Sequence, residues 1–118
     1  MATPLCTVLL ATYNRRETVM KCLDHIEAQD VGAENLQAVV IDDGSSDDTL
    51  AALEARNHGF GELVVLGQPN QGPGAARALG LPRVTGPVTL FVNDDTLLAT
   101  SAVRAHLDVH TQHPQSMV

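Results

Sequence analysis

Residues 89–98 read TLFVNDDTLL, an apolar climb to Val92 that breaks abruptly into Asn93, Asp94, Asp95 and Thr96. Neighbouring carboxylates repel each other and are costly to desolvate, so a cation or a solvent-filled cleft has to compensate them. Residues 38–49, AVVIDDGSSDDT, make nearly the same transition, with Val39, Val40 and Ile41 running into Asp42, Asp43 and Gly44. Two apolar runs ending in paired acids point to a site.

Strand-like and helix-like segments alternate around these stretches. Residues 5–13, LCTVLLATY, are nearly all apolar, as expected of a parallel strand covered on both faces. Residues 16–29 carry Val19, Leu23 and Ile26 at helical spacing. A second strand is expected over residues 37–42, then a helix capped by Ser45, Ser46 or Asp47 with Leu50 and Leu53 on its inner face. Residues 62–66 read as a third strand, residues 75–81 as a short helix after Gly72-Pro73-Gly74, and residues 87–92 as a fourth strand. Thr100 or Ser101 caps a last helix that ends before Pro114.

This order predicts an α/β fold, a Rossmann-like parallel sheet wound right-handedly with helices on both faces. Ligands of such sheets sit outside the carboxyl ends of the strands. Both acidic clusters fall there.

A chain of 118 residues makes one domain, expected to span residues 1–118. With 44% apolar and 18% charged residues a packed core is expected, and with 3% aromatics and no Trp an aliphatic one. The formal charge of -7, with Lys21 the only lysine, argues against nucleic acid or an anionic membrane surface as the main partner. It leaves room for a phosphorylated ligand if a divalent metal supplies the positive charge. No apolar run approaches the ~20 residues of a membrane span, and Met1-Ala2-Thr3-Pro4 offers no charged start to a signal peptide. Cys6 and Cys22 read as reduced, partly buried thiols rather than a disulfide or a zinc site.

Each motif has a plainer reading beside the functional one. Asn93-Asp94-Asp95-Thr96 suits magnesium or manganese, which prefer oxygen ligands and often take only one or two carboxylates; it also suits a solvated turn. Asp47 and Asp48 near a helix start are explained by the helix dipole. Asp42 and Asp43 come too early for capping, and a carboxylate there can accept hydrogen bonds from a base or ribose. Gly44 permits a tight corner between strand and helix. Residues 70–80, NQGPGAARALG, lack the third glycine of a dinucleotide fingerprint and the Lys-Ser/Thr of a phosphate loop. Small residues there let a helix pack closely on the sheet, and Arg77 is the only charge in the segment. His106, His110 and His113 share one face of the last helix but have no carboxylate or cysteine at ligand spacing, so ordinary helix-end histidines are preferred to a metal site.

Taken in order, the chain resembles the first part of a family 2 glycosyltransferase with the GT-A fold, over nearly its whole length. Four ordered motifs carry the resemblance: VLLATYNR at residues 8–15, VVIDDGSSDDT at 39–49, NQGPGAAR at 70–77 and FVNDDT at 91–96. The resemblance implies that Thr12 and Tyr13 lie against the nucleotide, with Tyr13 on the base. It implies that Asp43 accepts a hydrogen bond from the base and that Arg77 holds the base or a phosphate. Asp94 would contact ribose or metal, and Asp95 would ligate a divalent ion, Mg²⁺ or Mn²⁺, bridging the donor's diphosphate. Two departures from the family pattern are Asn93, where the first acid of the DXD-type motif stands, and Ala78, where an Asn often follows the arginine.

The activity so implied is sugar transfer from a nucleoside-diphosphate sugar (UDP-, dTDP- or GDP-linked) to a saccharide or lipid-linked acceptor hydroxyl, with inversion. The catalytic base is expected beyond Val118, so these residues form a nucleotide-binding half truncated before the acceptor part. The alternative is a non-catalytic nucleotide-sugar-binding fragment or module. An incomplete sheet implies self-association. A cytoplasmic location, peripheral at the inner face of the membrane, goes with this reading. Other α/β enzymes fit less well: a haloacid-dehalogenase-like phosphatase needs Asp at Asn93, a receiver domain needs a late lysine, and a nucleotidyltransferase wants a glycine in the Tyr13-Asn14-Arg15-Arg16 loop.

Overall fold

The computed structural model describes residues 3–112, with side chains as far as Asp108. Four strands and four α-helices alternate: β1 (Cys6–Thr12), α1 (Arg16–Glu27), β2 (Leu36–Asp42), α2 (Thr49–Ala55), β3 (Glu62–Gly67), α3 (Pro73–Gly80), β4 (Thr89–Phe91) and α4 (Ala102–Gln112). All strand pairs are parallel, in the order β3-β2-β1-β4. The α/β class and parallel sheet expected from the sequence are therefore what the chain adopts.

The period of two along each strand sorts its side chains between two cores. Val8 and Leu10 of β1 join Ala38 and Val40 of β2 on one face, beneath Val19, Cys22, Leu23 and Ile26 of α1, Leu53 of α2 and Val103 of α4. Leu9, Val39, Ile41 and Val64 form the other core, against Ala76 of α3. The chain steps from β1 to β2 to β3 in one direction, then returns across the sheet to lay β4 on the far side of β1. Right-handed crossovers put helices on opposite faces when the direction reverses. This is why α1 and α2 share a face and α3 takes the other.

Close packing of α3 depends on small residues. A Cβ at Gly80 would lie 2.7 Å from Ile41 Cδ1 and 3.1 Å from Leu9 Cδ1. The small-residue run of residues 70–80 thus has a structural use as well as a place beside the site.

At the amino ends of the strands the buried Gln37 amide ties the sheet together. Its Nε2 donates to Glu62 Oε1 (2.7 Å) and the Arg83 carbonyl (2.8 Å), while Oε1 accepts from Thr7 Oγ1 (2.7 Å) and the Thr85 N–H (2.9 Å). All four hydrogen-bonding positions of the amide are filled. A cavity of about 460 Å³ at this end borders Gln37 and Glu62; Gln37's part of its wall is fully spent on internal bonds.

Several expectations needed correction. β4 is shorter than residues 87–92, although Thr7 N–H to the Val88 carbonyl and Val92 N–H to the Leu9 carbonyl continue its pairing at both ends. Leu50 is only half-buried, against Gly67; Thr49 and Leu53 face the interior instead. Ser45 and Ser46 do not cap α2. Nor is Asp47 the N-cap, which is Asp48 and makes no side-chain cap bond; Asp47, just before it, accepts the Thr49 N–H at 2.9 Å, and Asp48 pairs with Arg16 at 3.0 Å.

Candidate nucleotide-sugar site at the strand ends

β1 ends at Thr12 because the next residues turn out of the sheet. Asn14 has φ 51°, the only positive φ outside glycine among the described residues. Asn tolerates this left-handed conformation better than most residues. Its side chain then does useful work: Oδ1 accepts from the Ser46 N–H (2.7 Å) and the Asp47 N–H (3.3 Å), and its own N–H donates to Ser45 Oγ (2.8 Å). The loops after β1 and β2 are clamped together, which places Tyr13 on one side of Asn14 and Arg15 on the other.

The acids after β2 divide their labour. Asp42 takes the Ser45 N–H (3.0 Å) and hydroxyl, so it is a turn group and borders no cavity lined by site residues. Gly44, at φ 79°, brings this turn so near residue 70 that a Cβ would sit 2.5 Å from the Asn70 nitrogen. Asp43 faces the cleft while its carboxylate holds the loop before α3. Oδ1 accepts from the Gln71 N–H and from Gln68 Nε2, both at 2.8 Å, and Oδ2 from the Gly72 N–H at 3.0 Å. These donors, the Gln71 N–H first, hold its carboxyl below the usual carboxylate range, against the opposing effect of burial.

The acids after β4 find the compensation that their adjacency demands. Asp94 is buried; its Oδ2 accepts the Thr12 hydroxyl at 2.9 Å and its Oδ1 meets Arg15 Nη1 at 3.2 Å. Asp95, with a side chain 62% exposed, stands 3.8 Å from the same Nη1. Cys22 lies behind this turn, its Sγ 3.6 Å from the Asn93 carbonyl. Burial first, and then the charges of Asp94 and Asp95, push its thiol up to about 11, and burial does the same to Cys6. Both cysteines are free and buried, as the sequence led one to expect.

Thr12, Tyr13, Asp43, Arg77, Asp94 and Asp95, the six residues expected at the site, line a single open cleft of about 360 Å³. It lies over the carboxyl ends of β1 and β4, where the direction of winding reverses and parallel sheets bind their ligands. Tyr13 leaves 45% of its surface exposed at the rim, and Arg77 lies over the Phe91 ring, 5.3 Å from its centroid. Ala11, Pro73, Val92 and Asn93 complete the wall with Arg15. Arg15, in the cleft wall, and Asn14, which holds the loops beside it together, are the residues that the sequence reading left without roles. Their signal was present, since Arg15 is the nearest cation after the end of β1, but its acidic partners lie in the turn after β4.

The donor set suits a hard divalent ion: Asp95 offers an accessible carboxylate beside Asp94, and such ions keep waters and phosphate oxygens as their other ligands. Among the described residues no three His, Cys, Asp or Glu side chains converge as a self-sufficient metal cage. His106 borders a hollow beside β4 that Arg77, Asn93 and Leu98 also line. The side chain of His110 and all of His113 lie outside the described residues.

The model of the glycosyl transferase family 2 matches residues 7–118. The chain belongs to that family. Putative glycosyltransferase EpsH of Bacillus subtilis is 30% identical over 95 residues, covering 80% of this chain and 27% of EpsH. Poly(ribitol-phosphate) beta-N-acetylglucosaminyltransferase TarS of Staphylococcus aureus is 29% identical, over 88% of this chain and 19% of TarS. The structure of S. aureus TarS 1–349 in complex with UDP-GlcNAc superposes with TM-score 0.82 at 27% identity, over 92% of this chain and 32% of that one. The mannosyltransferase PcManGT of Pyrobaculum calidifontis, in complex with GDP-Man and Mn²⁺, gives 0.74 at 27% identity, over 86% and 30%. The family 2 chain spans less than half the length of the curated relatives it matches. Its fold is that of the amino-terminal half of the GT-A fold. No helix among its described residues is long and apolar enough to cross a membrane.

Proposed function

We propose that the cleft binds the nucleoside diphosphate of a sugar donor and that the whole protein transfers the sugar to an acceptor hydroxyl with inversion. The observation that carries this reading is the convergence of Tyr13, Asp43, Arg77, Asp94 and Asp95 on one cleft at the reversal of the sheet. It is supported by the UDP-GlcNAc and GDP-Man complexes of two structural neighbours.

Thr12 and the exposed Tyr13 ring form the base-facing wall, where an aromatic face can stack a base. Asp43 keeps one Oδ2 lone pair for a base N–H once the Gly72 N–H has used the other. Arg77 contacts the base or a phosphate. Asp94 faces ribose, and Asp95 is the ligand of a divalent ion, Mg²⁺ or Mn²⁺. Such an ion neutralises charge on the departing diphosphate. The base that deprotonates the acceptor is assigned to chain beyond Val118, together with the saccharide or lipid-linked acceptor site. Residues 1–118 then form the donor-binding part of a longer enzyme. The free, buried Cys6 and Cys22 go with a reducing cytoplasm, and the exposed Leu97 next to edge strand β4 goes with self-association of these residues in isolation.

Isothermal titration with UDP, dTDP and GDP, with and without Mn²⁺, tests the reading. One of them should bind in a Mn²⁺-dependent manner, and Asp95→Ala should abolish that dependence while leaving stability within about 0.5 kcal/mol, as at other exposed positions. Retention of Mn²⁺-dependent binding by Asp95→Ala would place the ion elsewhere. Failure of all three nucleotides would refute the donor site.

A further inference from the structure

Arg15 stands between the two acids of the cleft. Its Nη1 is 3.2 Å from Asp94 Oδ1 and 3.8 Å from Asp95 Oδ2. The three side chains differ sharply in exposure, Asp94 at 11%, Arg15 at 53% and Asp95 at 62%. Asp94 also has the Thr12 hydroxyl, whereas Asp95 has no other partner than Arg15 among the described residues. The other guanidinium of the cleft, Arg77, is turned onto the Phe91 ring and reaches no carboxylate among the described residues. Within the protein, then, the repulsion between Asp94 and Asp95 is met by Arg15.

The same carboxylates suit a divalent ion, and two cations compete for them. A half-exposed ion pair at 3.8 Å is weak and readily exchanged. A guanidinium is at least as well matched to phosphate as to carboxylate, because its planar fork presents paired donors. The backbone below it is held by the Asn14 clamp, so exchange needs only rotation of the side chain.

We infer that Arg15 is a partner-exchanging counter-cation, which pairs Asp94 and Asp95 in the absence of a divalent ion and gives up Asp95 for a diphosphate oxygen when ion and nucleotide enter together. This rests on reading the cleft as a nucleoside-diphosphate site. The consequence is coupling: Arg15 opposes binding of the ion alone and favours the ion with the diphosphate. Ion and nucleotide therefore bind cooperatively, each raising the affinity of the other by the same factor.

The test compares wild type, Arg15→Met and Arg15→Lys in the full chain. Mn²⁺ alone is titrated by the paramagnetic resonance of the free ion, and UDP, dTDP and GDP by calorimetry at fixed Mn²⁺. Arg15→Met should bind Mn²⁺ alone about threefold more tightly than wild type, the scale of a half-exposed pair. It should also bind the diphosphate several-fold less tightly, so that the coupling shrinks. Arg15→Lys should keep wild-type Mn²⁺ affinity and lose part of the nucleotide affinity, which decides the matter should Arg15→Met fail to fold. Unchanged Mn²⁺ affinity in Arg15→Met, or unchanged nucleotide affinity in either variant, overturns the inference and leaves the donor site standing. A wild type that takes up none of UDP, dTDP and GDP with Mn²⁺ removes the donor site, and the inference with it.

Discussion

Thr12 Oγ1 donates to Asp94 Oδ2 at 2.9 Å, joining the carboxyl ends of β1 and β4 through two buried side chains. This bond fixes the buried acid of the cleft and leaves Asp95 as the accessible one. Thr12→Val keeps the shape and removes the donor, so Asp94 retains only Arg15. A hydrogen bond to a charged group contributes about 1.5–3 kcal/mol. Urea unfolding of Thr12→Val should show a loss near the lower end of that range, since Arg15 and solvent compensate in part. Thr12→Ser, which keeps the hydroxyl, should stay close to wild type. A loss in Thr12→Ser with none in Thr12→Val would mean that the methyl group, not the hydrogen bond, matters.

Asn14 makes a separable prediction because its backbone and its side chain contribute differently. Asn14→Gly loses the bonds to Ser46 and Asp47 but accepts φ 51° without strain, and should cost about 1 kcal/mol. Asn14→Ala loses the same bonds and adds left-handed strain, costing about 1–2 kcal/mol more. Thermal or urea unfolding reads the difference. If alanine proves no worse than glycine, the positive φ is not held in solution.

Asp43 predicts a pH dependence. Its carboxyl titrates below the ordinary range because the Gln71 N–H, Gln68 and the Gly72 N–H favour the ionised form. A depressed folded-state pKa adds stability that is present above the unfolded value of about 3.9 and is lost as the pH falls through the lower folded value. Asp43→Asn should therefore destabilise the protein at pH 7 and make less difference at a pH below the unfolded value, where the wild type is giving up the same contribution. Urea midpoints at the two pH values check this. A constant gap between wild type and variant would assign the loss to packing instead of charge.

The alternation of apolar runs and helical periodicities was enough to name the four strands and four α-helices of the described residues in order, though not the short 3-10 turns at Ala33–Asn35 and Leu81–Arg83, since each pattern is local and the sheet is buried on both faces. The acid pairs after Ile41 and Val92 marked the cleft for the same reason: charge directly after a buried strand is visible in the chain itself. The family followed from four motifs in sequence. Strand order and the division of roles among the acids did not. Asp42 and Asp43 are identical neighbours, yet one closes a turn on Ser45 and the other anchors the loop at Gln71 and Gly72. Arg15 faces acids in a turn far along the chain, and Gln37 binds groups on three other segments. A hydrogen bond or an ion pair is a relation of position within about 3 Å. Only the register of the sheet, and the return of β4 to the side of β1, brings such partners together.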